Sequence, residues 1–168
     1  MRIDVSSILK ETGGRIEIGG EVKLPDTEFL GEYRFTEPLT VKGSVSNNGK
    51  SLIMRADAEG VMTTNCARCM KEITVPVSFH IDENLAQEDS GVEDDADVIL
   101  FRDADFEIDD IVYDNFLMNV EGKYLCKEDC KGLCPECGKD LNDGECDCSK
   151  ENIDPRWSAL LDIMKDNE

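Results

Sequence analysis

The sequence predicts an α+β fold with a mainly antiparallel β body, a few helices and a small Cys-rich module near the C-terminus. Three observations predict it. Apolar and polar residues alternate with period two through much of residues 1–81. Apolar residues at helical spacing fall within 106–120. Six of the eight cysteines crowd into 126–148. At 168 residues and 40% hydrophobic content, the chain suits one ordinary domain with an appendage and has enough apolar side chains for a core.

The elements are read in order. Ser7–Glu11 is expected as a short helix. Leu39, Val41, Gly43 and Val45 alternate with polar residues, as do Leu52, Met54, Ala56 and Ala58, so both segments read as strands. Between them, Ser46-Asn47-Asn48-Gly49-Lys50 carries an Asn-Gly step, a strong hairpin signal. Ile73–Ile81 places its odd positions on one apolar face, with Pro76 on the other, which suggests an edge strand. Residues 82–105 read as an acidic connection, with a long loop on either side of the short apolar run Val98–Phe101, which suits a strand. A helix is expected over 106–120, with Ile108, Ile111, Val112, Phe116 and Asn119 on one face and Asp105 as its cap. After the cysteines, Asp154-Pro155-Arg156-Trp157 opens a last helix, with Trp157, Leu160, Leu161 and Met164 at positions 0, 3, 4 and 7. The organisation is therefore a near-neutral β-rich region (1–81), the acidic connection (82–105) and a segment (106–168) of helix, Cys-rich module and C-terminal helix.

Charge divides the chain along the same line. The formal charge is −20. Residues 1–81 hold 11 acids and 10 bases, net −1, while residues 82–168 hold 27 acids and 8 bases, net −19. A surface as acidic as the second half repels phosphate backbones and attracts cationic proteins. No segment approaches the roughly 18 apolar residues of a membrane span, and the first ten residues lack a leader pattern, so a cytoplasmic setting is expected. In such a setting closely paired cysteines bind metal more often than they form disulfides.

Cys66-Ala67-Arg68-Cys69 lies between two β segments, where a turn brings two thiolates to one point. A redox site would want the motif opening a helix in a βαβ unit, and a strand pattern follows instead. The second cluster runs Cys126-x3-Cys130-x3-Cys134-x2-Cys137-x8-Cys146-x-Cys148. Cys134-Pro135-Glu136-Cys137-Gly138 has the form of a zinc knuckle, its glycine allowing the positive φ that aims backbone N–H groups at sulfur. Cys134, Cys137, Cys146 and Cys148 are the natural four-thiolate zinc site. Cys126 and Cys130 either join Cys66 and Cys69 in a second site, stapling the two halves, or complete a six-cysteine cluster that leaves Cys66 and Cys69 apart. One zinc ion is expected and a second is compatible with the count. Eight thiolates around two Zn²⁺ change the charge by −8 + 4, from −20 to about −24.

Four sulfurs fill a zinc ion's coordination sphere, whereas a catalytic zinc keeps an open position. The single histidine, His80, faces away from the apolar set of its strand. No HExxH, phosphate loop or GxSxG occurs, and nothing marks any acid pair as general acid and base. The chain is therefore expected to be non-catalytic, with no small-molecule substrate.

The motifs resemble the YceD-like family, which is linked to accumulation of large-subunit ribosomal RNA. The resemblance rests on Met1–Ser7, Pro38–Val45, Cys66-Ala67-Arg68-Cys69-Met70, and above all Asp129-Cys130-Lys131-Gly132-Leu133-Cys134-Pro135-Glu136-Cys137-Gly138, then Asn142, Cys146-Asp147-Cys148 and Asp154-Pro155-Arg156. It matches the cysteine-bearing branch typical of Gram-positive bacteria. Where the family often has a Leu-Pro step before the first tail cysteine, this chain reads Val120–Leu125. The resemblance implies a non-enzymatic role in making or stabilising the large subunit, in partnership with a small ribosomal protein.

Three functions follow as expectations. The acidic half suits an assembly factor that meets a basic ribosomal protein or pre-50S particle. Direct rRNA binding would fall to the near-neutral half, through Arg2, Lys10, Arg15, Lys23, Lys42, Arg55, Arg68 and Lys71, with Arg68 held outward by its turn as the leading contact. The third is a zinc- or thiol-storing role.

Overall fold

The computed structural model describes residues 1–26, 32–88 and 98–148. Among them lie strands β1 (Arg2–Asp4), β2 (Arg15–Val22), β3 (Leu39–Asn47), β4 (Leu52–Asn65), β5 (Glu72–Gln87), β6 (Val98–Phe101) and β7 (Asp105–Glu107), and one helix, α1 (Asp109–Asn119). The body is mainly β. A five-stranded sheet has the order β2-β3-β4-β5-β6, and β1 pairs with β7 in a separate ribbon. β2 to β5 form an antiparallel meander, but β6 joins β5 in parallel, which the antiparallel expectation did not include.

Alternation places the core. Leu39, Val41 and Val45 of β3 and Leu52, Met54, Ala56 and Ala58 of β4 all turn inward and are buried. On the same face, α1 lays Ile111, Val112 and Phe116 against the sheet. Phe116 centres an aromatic cluster, edge-on to Tyr33 and Phe35 at 5.9 and 5.0 Å between ring centroids, with Phe79 at 6.3 Å. At Gly43 the sheet closes so tightly that a Cβ would lie 2.1 Å from the Arg55 carbonyl oxygen.

The β3–β4 hairpin turns where the Asn-Gly step predicts. Its loop has four residues, since Asn47 pairs with Leu52. Asn48 Oδ1 accepts the N–H groups of Lys50 and Ser51, both at 2.8 Å, and Gly49 takes φ +89°. Asn47, nearly buried, donates through Nδ2 to the carbonyls of Ile8 (2.7 Å) and Leu9 (3.1 Å) and accepts from the Gly49 N–H. It thereby ties the N-terminal segment to the hairpin.

Several expectations change. Ser7–Glu11 is not helical; Ile8 and Leu9 N–H groups both bond back to the Val5 carbonyl in a turn that buries Ile8. Asp105 does not cap α1. It belongs to β7, paired with Asp4 and bonded to Arg2, and the helix starts beyond Ile108 with no side-chain cap. β5 continues six residues past Ile81, so Asp82–Gln87 is strand and not loop. Its acids hide that continuation: Asp82 points outward to Arg55 (3.2 Å), while Glu83 accepts from Asn115 of α1 (2.7 Å), and Leu85 resumes the buried face. Pro76 sits opposite Val61, on a stretch of β5 that β6 does not reach. The apolar run Val98–Phe101 does form the strand its composition suits, β6. The expected last helix, Asp154 to Met164, lies outside the described residues, as does 89–97 of the acidic connection.

Candidate metal centre

The long β4–β5 hairpin turns through Cys66–Cys69, immediately after Asn65, and so carries two thiols at its tip. From the other side, the chain leaving α1 is pinned to this tip by a bond from the Ala67 N–H to the Tyr124 carbonyl (2.8 Å). Cys126 and Cys130 follow and complete the group. The eight cysteines therefore divide four and four. Cys66, Cys69, Cys126 and Cys130 form one cluster, and Cys134, Cys137, Cys146 and Cys148 the other, with all sulfurs of a cluster within 4.8 Å of one another. All eight are free thiols.

The spacing fits a metal. In the first cluster Cys66 Sγ lies 3.8 Å from Cys130 Sγ, and Cys69 Sγ lies 3.7 Å from Cys126 Sγ. A regular tetrahedron with metal–sulfur bonds of ~2.3 Å has edges of ~3.8 Å, whereas a disulfide needs ~2.05 Å. Both clusters could hold a metal ion. They differ in exposure: Cys66, Cys69 and Cys130 are buried, while Cys137 is open to solvent and Cys146 and Cys148 are half-buried.

Each cluster is built on the same turn. The Cys66 N–H bonds the Lys71 carbonyl, and the Met70 N–H returns to the Cys66 carbonyl. Likewise the Cys134 N–H bonds the Lys139 carbonyl, and the Gly138 N–H returns to the Cys134 carbonyl. Gly138 has φ +73° and Met70 has φ +58°, so one knuckle uses the expected glycine and the other holds a methionine in the same left-handed conformation. A signature requiring glycine after the second cysteine would miss the first knuckle.

These turns aim N–H groups at sulfur. Burial pushes the Cys66 thiol up, but the backbone N–H groups of Cys69, Arg68 and Cys126 outweigh it and bring it down to about 6. The Cys137 and Glu136 N–H groups bring Cys134 down to about 6. Burial, followed by the neighbouring thiols, raises Cys126 to about 12, and the Cys137 sulfur, followed by burial, raises Cys148 to about 12. Each cluster gives up one proton readily and holds another firmly, as like charges packed this closely must. A dication removes the conflict.

The two clusters interlock. Asn142, from the loop between Cys137 and Cys146, points Nδ2 at Cys130 Sγ of the other cluster (3.4 Å) and accepts the Lys131 N–H through Oδ1 (3.0 Å). Asp140 orients that amide (2.7 Å). The Leu133 N–H bonds the Arg68 carbonyl (3.1 Å), and Gly132, at φ +74°, passes so near that a Cβ would lie 2.9 Å from that oxygen. No cysteine spacing points to Asn142 or Gly132 as supports; the family motif quoted above contains both, and is the one sequence signal for them.

Arg68 is exposed, yet it is not simply held outward. Its Nη1 reaches across to the Cys130 carbonyl (2.8 Å) and, more loosely, that of Glu128 (3.4 Å). His80 is exposed on β5 beside Asp57 (2.9 Å) and belongs to neither cluster.

The family model described as large ribosomal RNA subunit accumulation protein YceD matches residues 54–164. An uncharacterized protein of Mycobacterium tuberculosis is 29% identical over 169 residues, covering 98% of this chain and 81% of that protein. The uncharacterized protein YlbN of Bacillus subtilis is 25% identical over 143 residues, covering 84% of this chain and 83% of that protein. No solved structure matches the chain significantly.

Proposed function

The chain belongs to the family of the large ribosomal RNA subunit accumulation protein YceD, and from that premise we propose that it is a non-catalytic factor for large-subunit rRNA accumulation. In this reading it works in the cytoplasm by meeting a basic ribosomal protein or a pre-50S particle. The family's name ties it to large-subunit rRNA; the observation that carries the mode of action is the charge. A net −20, concentrated after residue 81, favours a cationic protein over RNA. A zinc ion on Cys66, Cys69, Cys126 and Cys130 would hold the tip of the β4–β5 hairpin to the segment after α1, and a second on Cys134, Cys137, Cys146 and Cys148 would close the tail module on itself. The all-cysteine ligand sets suit that structural role, since four thiolates occupy every position of a tetrahedral ion.

Direct rRNA binding draws less support. Of the candidate cations, Arg2 is bonded to Asp105, Arg15 to Glu17 and Arg55 to Asp82, and Arg68 is turned toward the Cys130 carbonyl. No helix among the described residues is long and apolar enough to cross a membrane.

The test pairs depletion with purification. Cells lacking the protein should accumulate less 23S rRNA and fewer large subunits. Tagged protein should retain a basic large-subunit protein at low salt and lose it at high salt. Normal subunit profiles together with no ribosomal protein retained at low salt would overturn the proposal.

A further inference from the structure

β5 is the longest strand of the sheet, and β6 covers only Asn84–Gln87 on its outer side. From Glu72 to Glu83 no described strand pairs with that edge. An uncovered edge offers a row of backbone donors and acceptors to any extended chain. Below it lies a cleft of about 210 Å³, walled by Val75, Val77 and Phe79 of β5, by Phe116 near the far end of α1 and by Val120 and Tyr124 just beyond it. The core covers Val75 and Val77 only in part. An edge strand running beside a helix, with apolar side chains between them, is an arrangement that takes an added peptide strand.

Charge selects the occupant. α1 ends at this cleft with no basic residue in its last turn, so its own side chains leave the negative end of its dipole without an offsetting cation. Glu121 adds a carboxylate at the rim, and among the described residues no lysine or arginine lines the cleft. A second copy of a chain carrying −20 is repelled, and so is RNA.

We propose that the free edge of β5 and the C-terminal end of α1 form a docking groove for an extended peptide rich in lysine and arginine, which adds to the sheet beside Ser78–Asp82. Pro76 offers no N–H and limits pairing to the stretch beyond it. Apolar side chains of the peptide cover Val77, while its cations meet Glu121 and the carbonyls that end α1. This rests on the proposed function, for which it supplies the contact surface.

A fluorescein-labelled octapeptide alternating lysine and valine serves as the probe, with its glutamate–valine counterpart as control, against the full zinc-loaded chain. The basic peptide should bind and the acidic one should not. Amide shifts on binding should concentrate at Ser78–Asp82 and Glu121. Glu121→Lys, whose side chain is exposed and whose backbone bonds remain, should weaken binding about tenfold or more. Ser78→Pro should do the same by breaking the edge. Equal binding by wild type and a well-folded Glu121→Lys variant overturns the groove, as do shifts confined to other regions, or Ser78–Asp82 amides already fully protected in the free protein. If the peptide fails to bind but an intact basic ribosomal protein is still retained, the groove is wrong and the proposed function stands. If neither binds, and subunit profiles are normal in depleted cells, both fall.

Discussion

Asn142 is the clearest case of one side chain serving a site to which it contributes no ligand. Its amide donates to the Cys130 sulfur while its own loop carries the other cluster's ligands. Removing such an outer partner typically costs ~10–100-fold in metal affinity. Asn142→Ala should therefore lose zinc faster from the Cys66 cluster, seen with a chromogenic chelator as an acceleration of the slower of two release phases. An unchanged slow phase would show that the contact carries no weight. The cysteine spacing made all eight thiols legible, because metal-ligand motifs are local in sequence. The four-and-four division was one of two groupings the spacing allowed, and the choice between them was not legible, because it depends on the Tyr124 carbonyl and the Arg68 guanidinium holding Cys126 and Cys130 beside a turn some 60 residues earlier. Arg68 shows the same limit. Its exposure was legible, but its reach to the Cys130 carbonyl was not.

At the scale of elements, the strands were legible where alternation was unbroken, as in β3 and β4. β5 was read too short because Asp82 and Glu83 resemble the start of a loop, and each is matched by a partner from another element. The Asp105 error has a similar source. An acid ahead of an apolar helical period looks like a cap, but Asp105 is claimed by Arg2, more than 100 residues away. Gly43 fits the alternation of β3 as though it were any small inward residue, and the structure gives it a sharper role. With a Cβ forced to 2.1 Å from the Arg55 oxygen, Gly43→Ala must move backbone. It should destabilise the fold by at least about 2 kcal/mol, read as a lowered urea midpoint with little change in slope. A midpoint within error of wild type would mean that β3 and β4 separate freely at this point.

For the whole molecule, zinc and acidity are linked through protons. Thiols ordinarily titrate near 9, and metal binding must displace protons even from Cys126 and Cys148, both raised to about 12. Protons and zinc compete for the same sulfurs, so affinity should rise with pH and acid should expel the metal. Chelator competition across a pH series measures this, and a flat profile would argue against thiolate ligands. Backbone N–H groups hold Cys66 and Cys134 down to about 6, so these thiols give up their protons readily, which eases the metal's entry. The pairing of β1 with β7 bears on how the protein is made. Ile3 finds Phe106, and Arg2 finds Glu107. During synthesis at about 5–20 residues per second, β1 leaves the ribosome roughly 5–20 seconds before its partner. The meander of β2 to β5 can close in that interval, because each of its strands meets a neighbour already made. β1 then completes its ribbon only when the chain has been translated past β7.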